Sequence, residues 1–269
     1  WSSDVCSSDL NENILSKIEE YQYKCIENNK YYRYNNNIDG ISYYNKLIPI
    51  YDLKKITINS DIEKYIYNNF FNEIGVLIVK NAYSINTMDK FNIWCEEALE
   101  IFKDDPNIIH PKQKDKFTIN NIIERMSESN PDLLMKLINN KYLNKFCDIL
   151  LGFHKLGSCT AHWINPGGDR QLAHVDYPIH IGSGPFWESS IDKMKKFVNR
   201  YQLNNILPHY SIQALIASDN MSIKNGSTEV IPCSHLIDNI DILVQDLNIR
   251  EKLENLFFNV NLDKGDFLI

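Results

Sequence analysis

Gly168-Asp169-Arg170-Gln171-Leu172-Ala173-His174-Val175-Asp176-Tyr177-Pro178 is the stretch on which the reading of this chain turns. Residues 165–169, Asn-Pro-Gly-Gly-Asp, read as a loop, and residues 172–177 as a short strand. Side chains two apart on a strand point to the same face. His174 and Asp176 then project an imidazole and a carboxylate into one space, with Val175 packing behind. That is two-thirds of the 2-His-1-carboxylate set that holds non-haem Fe(II) and leaves positions open for substrate and O2. A core histidine hydrogen-bonded to the neighbouring carboxylate fits the same residues, and His-x-Asp alone does not separate the two readings.

Working outward, the pattern on either side is β-like. Residues 158–164 alternate, with Thr160, His162 and Ile164 on one face and Cys159, Ala161 and Trp163 on the other. Residues 210–217 read as a strand. Another at 228–231 follows the Asn225-Gly226 turn and runs into Pro232-Cys233-Ser234-His235. Lys264-Gly265-Asp266 reads as a turn into an apolar strand, Phe267-Leu268-Ile269. Residues 190–200 and 237–257 read as helical insertions.

The first half is helical in pattern. Helices are expected over 11–29 and 61–71, with a patternless Tyr- and Asn-rich connection over 31–51. Gly75-Val76-Leu77-Ile78-Val79 has the continuous apolar run of a buried strand. Ser84 can cap a helix whose apolar positions are Met88, Phe91, Cys95, Ala98 and Phe102. Asn130-Pro131 pairs a capping residue with proline at the first helical position. That region runs to Leu151, breaks near Asn139-Asn140 and ends at Gly152. The fold class expected is α+β, one domain with a helical flank, since no linker divides the chain.

Composition narrows the function classes. With 43% hydrophobic and 23% charged residues over 269 positions, the chain can bury a substantial core. No apolar run approaches the roughly 18 residues of a membrane helix. A net charge of −7 argues against a general nucleic-acid binder. Six scattered cysteines without a Cys-x-x-Cys read as reduced thiols, which places the protein in the cytoplasm.

Both ends depart from the rest. Residues 1–10, WSSDVCSSDL, contain none of the Asn, Ile, Lys and Tyr that crowd the chain from Asn11 onward. They read as a non-native leader and are set aside from the fold argument. The chain stops as the strand after Gly265-Asp266 begins, and a core strand there is expected to lack its partner contacts. The sequence therefore reads as a fragment. Its expected parts are a leader at 1–10, a helical extension at 11–72 and an incomplete domain at 73–269.

Taken in order, these motifs resemble the phytanoyl-CoA dioxygenase family of Fe(II)/2-oxoglutarate oxygenases. The motifs are the 75–79 strand, the leucine-rich helix ending at Gly152, His174-Val175-Asp176, the Asn225-to-His235 segment and Gly265-Asp266. The resemblance covers 73–269. It implies a double-stranded β-helix, the cupin-like jelly roll, with the metal in one mouth and here without its last strands. It implies His174 and Asp176 as the catalytic pair and first two iron ligands. It also implies O2-dependent hydroxylation of a small-molecule substrate, coupled to decarboxylation of 2-oxoglutarate to succinate. Related halogenases lack the carboxylate ligand; Asp176 favours hydroxylation.

The departures from the family pattern are specific. Cys233 stands where the family's Pro-Gly-Ser-His has glycine. The third ligand, a histidine on the strand after Gly-Asp, and a later arginine that grips 2-oxoglutarate are expected beyond Ile269. The last histidine here is His235, in a loop position that the family does not normally use as a ligand. The chain as given is therefore expected to be inactive, and a non-catalytic jelly-roll binding protein is the alternative.

By position, His162 resembles a family site touching 2-oxoglutarate, and a partly buried polar core residue reads equally well. Gln171 is a candidate co-substrate contact or a loop residue. Leu215 matches a position lining the co-substrate pocket, or plain core. Arg125 reads as a carboxylate partner or a solvated helix face, and His180 and His209 as substrate-facing or surface residues.

Overall fold

The computed structural model describes residues 6–35, 39–104, 116–165, 170, 212–237 and 251–269. The first helix, α1 (Cys6–Asn35), starts inside the segment read as a leader. It buries Ile14, Ile18, Gln22 and Cys25, spaced four, four and three apart, so one stripe faces inward. Gln22 Nε2 donates to the Pro232 carbonyl at 3.1 Å, fixing α1 against the segment before His235.

The connection read as patternless contains a hairpin. Strands β1 (Ile41–Tyr44) and β2 (Ile48–Asp52) pair antiparallel. Asn45 and Lys46 sit at φ 48° and 64°, and Leu47 N–H bonds the Tyr44 carbonyl at 3.0 Å. Two central residues with positive φ make a type I′ turn, which suits the strand twist. The turn is Asn-Lys rather than Asn-Gly, and the strands are four and five residues long, so the local signal is weak.

Asn59 caps α2 (Ser60–Asn69) by accepting from Ile62 N–H at 3.0 Å. A π-helical turn (Phe70–Ile74) follows and ends at Gly75, φ 71°. Through α2, β2 connects to the parallel strand β3 (Ile78–Lys80). Ser84 then caps α3 (Ile85–Ile101), as expected, and Met88, Cys95 and Ala98 are buried. Strand β4 (Lys116–Ile119) precedes α4 (Ile122–Ser129), α5 (Pro131–Ile138) and α6 (Lys141–Leu151).

The expected helix break falls at Asn139 and Asn140. Asn140 Oδ1 accepts from the N–H groups of Tyr142 and Leu143, and its Nδ2 donates to the Ala82 carbonyl. Gly152 ends α6 at φ 67°.

The remaining strands are β5 (Ala161–Ile164), β6 (Leu215–Ile216), β7 (Glu229–Val230), β8 (Phe258–Asn259) and β9 (Phe267–Leu268). One sheet runs β1-β2-β3-β9-β6; β4 pairs with β5, and β7 with β8. Contrary to expectation, the strand after Gly265-Asp266 has neighbours on both sides. It is antiparallel to β3 and to β6, and Leu77 and Ile269 exchange two backbone hydrogen bonds at 2.8 and 3.0 Å.

The register explains the continuous apolar run at 76–79. Val79 pairs with Phe267, and both enter a core with Phe70, Met88 and Phe146. Ile78 pairs with Leu268, and both enter a second core with Cys25, Cys233 and Val260. The sheet is covered on both faces, so alternation disappears.

The architecture is mixed helix and sheet, as expected. Residues 11–72 supply β1 and β2 to the main sheet as well as helices. The strand expected at 172–177, the helix at 190–200 and most of the 237–257 helix lie outside the described residues, which resume in helical conformation at 251.

Candidate functional site

The β4–β5 ribbon leads directly into the informative stretch. Thr118 pairs with His162, and His162 Nδ1 lies 3.1 Å from Thr118 Oγ1. Ala161 is buried and Trp163 half-buried, while His162 and Ile164 are exposed, which matches the two faces expected from the alternation. The core alternative for His162 does not hold, because its face is open. Trp163 Nε1 donates to Asn165 Oδ1 at 3.1 Å, holding the last described residue before Pro166.

The next described residue, Arg170, is anchored at three points. Its Nε donates to Glu229 on β7 and its Nη1 donates to Glu254 at 2.7 Å. Its guanidinium carbon lies 5.1 Å from the Phe257 ring centre, just before β8. The two carboxylates hold the guanidinium further above its ordinary range. Nothing in the local sequence announced this, because Glu229 and Glu254 are 59 and 84 residues away.

His174, Asp176, Gln171, His180 and His209 lie outside the described residues. Among the described residues, no group of three His, Cys, Asp or Glu side chains could hold a metal.

His235 sits in a short 3-10 turn (Ser234–Leu236). Its Nε2 lies 3.1 Å from the Phe71 carbonyl and its ring packs on Gly75. Cys233, standing where the family has glycine, takes the conformation glycine favours, φ 69°. Its Sγ lies 3.7 Å from that of Cys25, and that contact, with burial, pushes its thiol far above the usual range.

Leu215 is half-buried, pairs with Leu268 and packs into the second core. Arg125 lies with its guanidinium carbon 5.1 Å from the Phe102 ring centre; its Nε is buried without a hydrogen bond among the described residues.

Gly265-Asp266 is a structural turn. Asp266 is buried, and its two carboxylate oxygens accept from the N–H groups of Asn81 (2.9 Å) and Asp263 (3.1 Å). Burial raises its pKa above the ordinary 3.8, against those hydrogen bonds and Lys80. A Cβ on Gly265 would meet the Tyr83 carbonyl oxygen at 2.5 Å.

Comparison with known proteins now defines the class. The chain belongs to the phytanoyl-CoA dioxygenase family, whose model matches residues 71–269. That match starts within the π-helical turn before Gly75 and takes in every motif quoted above. A search of curated proteins finds none that matches. The family is one of oxygenases that generally use Fe(II), 2-oxoglutarate and O2, and it implies a cupin-like fold. Among the described residues, no helix is long and apolar enough to cross a membrane.

Proposed function

We propose that the gene encodes a non-haem Fe(II)/2-oxoglutarate-dependent dioxygenase that hydroxylates a small organic substrate. The observation that carries this reading is the family match over 71–269, with His174 and Asp176 two apart within it. An imidazole and a carboxylate are the donor types such a centre takes, so the residues fit two of its three protein positions. His162 and His235 are engaged elsewhere, with Thr118 and with Phe71 and Gly75, and neither is proposed as the third.

When bound, Fe(II) with 2-oxoglutarate and O2 supplies hydroxylation coupled to formation of succinate and CO2. His174 and Asp176 hold the metal. His162, on the open face of β5, is proposed to contact 2-oxoglutarate; Gln171 and Leu215 are the further candidates. The jelly-roll barrel is proposed on the same grounds. Cys25, Cys95, Cys147, Cys159 and Cys233 are free thiols, which supports a cytoplasmic setting.

The test is a thermal-unfolding series on the protein as its gene encodes it, without O2. Ligand binding to the native state raises the midpoint. Fe(II) with 2-oxoglutarate should raise it, and His174→Ala should abolish the rise. An iron-independent midpoint in the native protein would favour the non-catalytic binding protein instead.

A further inference from the structure

Two buried thiols meet where the first helix crosses the loop after β7. Cys25 lies on α1 and Cys233 just past Pro232, 208 positions apart in sequence, with their Sγ atoms 3.7 Å from each other. The approach is held from both sides. Gln22, one helical turn before Cys25, donates to the Pro232 carbonyl at 3.1 Å, and the Cys233 N–H bonds the Ile74 carbonyl at 2.9 Å. Ile14 and Ile18 of the same stripe pack with Ile237, Leu253 and Leu256. The sulfurs need to approach by only about 1.7 Å to reach the roughly 2.0 Å of a disulfide bond. The backbone points the same way. At φ 69° position 233 suits glycine, and a cysteine there is strained. Strain of this kind persists mostly where the side chain serves a purpose. What this residue presents is a thiol set against a second thiol.

We propose that Cys25 and Cys233 are a modification site: a reversible disulfide, formed by exchange with a low-molecular-weight disulfide, that staples α1 to the family-matched part of the chain. α1 ends before residue 71, where the family match begins, and Cys233 lies inside that match. The proposal is independent of the metal reading. In the proposed cytoplasmic setting the resting pair is reduced, and disulfides there are transient. The Cys25 contact and burial hold the Cys233 thiol protonated, and only a thiolate attacks a disulfide. Reaction therefore waits on α1 lifting from the loop. Cys25, on the element that moves, attacks first. Its sulfur bonds one sulfur of the small disulfide, and the other leaves as a thiol with the Cys25 proton. The Cys233 sulfur then attacks the Cys25 sulfur, and the second small molecule leaves as a thiol with the Cys233 proton. Two protein thiols are oxidised and one small disulfide is reduced to two thiols. The bond closes a loop of 208 positions, and closing a long loop restricts the unfolded chain most.

The experiment holds the native protein with oxidised glutathione, caps its free thiols and cuts it with trypsin without reduction. Cleavage after Lys24, Lys30, Lys224 and Arg250 gives peptides 25–30 and 225–250, each with a single cysteine. These two peptides should be found linked, and dithiothreitol should separate them. The unfolding midpoint of the oxidised protein should stand above that of the reduced protein by about 5 °C or more. Cys25→Ala and Cys233→Gly should each lose both the link and the shift; glycine suits the backbone at 233, so the second variant keeps the test open if the first folds poorly. Both thiols still free, glutathione retained on either cysteine without a link, or a link formed only in urea overturns the proposal. So does a link that leaves the midpoint unchanged or lowers it.

Discussion

A Cβ placed on Gly75 would lie 2.2 Å from Nδ1 of His235. The imidazole occupies the space that any other residue at 75 would need. Cys233 N–H bonds the Ile74 carbonyl at 2.9 Å and His235 Nε2 lies 3.1 Å from the Phe71 carbonyl. The turn before β3 and the loop after β7 are therefore interlocked, and the histidine of Pro-Cys-Ser-His is a packing residue here. Gly75→Ala should destabilise by about 2 kcal/mol or more, combining a left-handed φ with overpacking. In a His235→Ala background the cost should shrink, as a urea double-mutant cycle would show. Equal costs in both backgrounds would contradict the interlock.

Cys233 carries two opposed effects. A non-glycine residue at φ 69° is strained by roughly 1–2 kcal/mol, yet the side chain is fully buried against Cys25. Cys233→Gly relieves the strain and loses the packing, so its unfolding free energy should stay within about 1 kcal/mol of wild type. Cys233→Ala keeps the strain and leaves a void, and should cost about 1–2 kcal/mol. Chemical denaturation gives the order directly, and an alanine variant more stable than the glycine one would contradict it.

Asp266 makes stability depend on pH in a particular direction. Burial raises its pKa in the folded state, so the native protein binds its proton more tightly than the unfolded chain does. This contribution favours folding below the ordinary value of 3.8 and is lost as pH rises through the raised folded-state pKa. Asp266→Asn should remove that slope. Each carboxylate oxygen accepts a backbone N–H, and an amide presents a donor to one of them. The substitution should therefore also cost about 1–3 kcal/mol at neutral pH. Unfolding free energies from about pH 3 to about pH 7, which span the ordinary carboxylate range, test both statements.

His162→Ala should separate function from folding. The ring is exposed and lies within hydrogen-bond distance of Thr118, so the stability cost should be below about 1 kcal/mol. On the proposed reading, the apparent affinity for 2-oxoglutarate falls while kcat at saturating co-substrate changes less. An unchanged affinity would remove His162 from the site.

What the sequence made legible follows from how locally each feature is encoded. Ser84, Asn130-Pro131, Asn140 and Gly152 mark the ends of α3, α5 and α6 within four residues of the helix groups they satisfy. The β1–β2 hairpin is not legible because its turn lacks glycine and its further pairing, of β2 with β3, is made across the α2 connection. Donor types two apart at His174 and Asp176 are visible in a tripeptide. The grip of Arg170 is not, since its partners are brought together by the pairing of β7 with β8. His235 reads in the sequence as a loop histidine, and its packing on Gly75, 160 positions earlier, is not visible there.

The central claim is that His174 and Asp176 hold a catalytic Fe(II). The direct measurement is Fe(II)-dependent release of succinate from 2-oxoglutarate by the protein as its gene encodes it. His174→Ala and Asp176→Ala are measured beside it. The account predicts iron-dependent succinate from the native protein and none above background from either variant. Succinate release that survives both substitutions, or native protein that releases none under any iron loading, would contradict it.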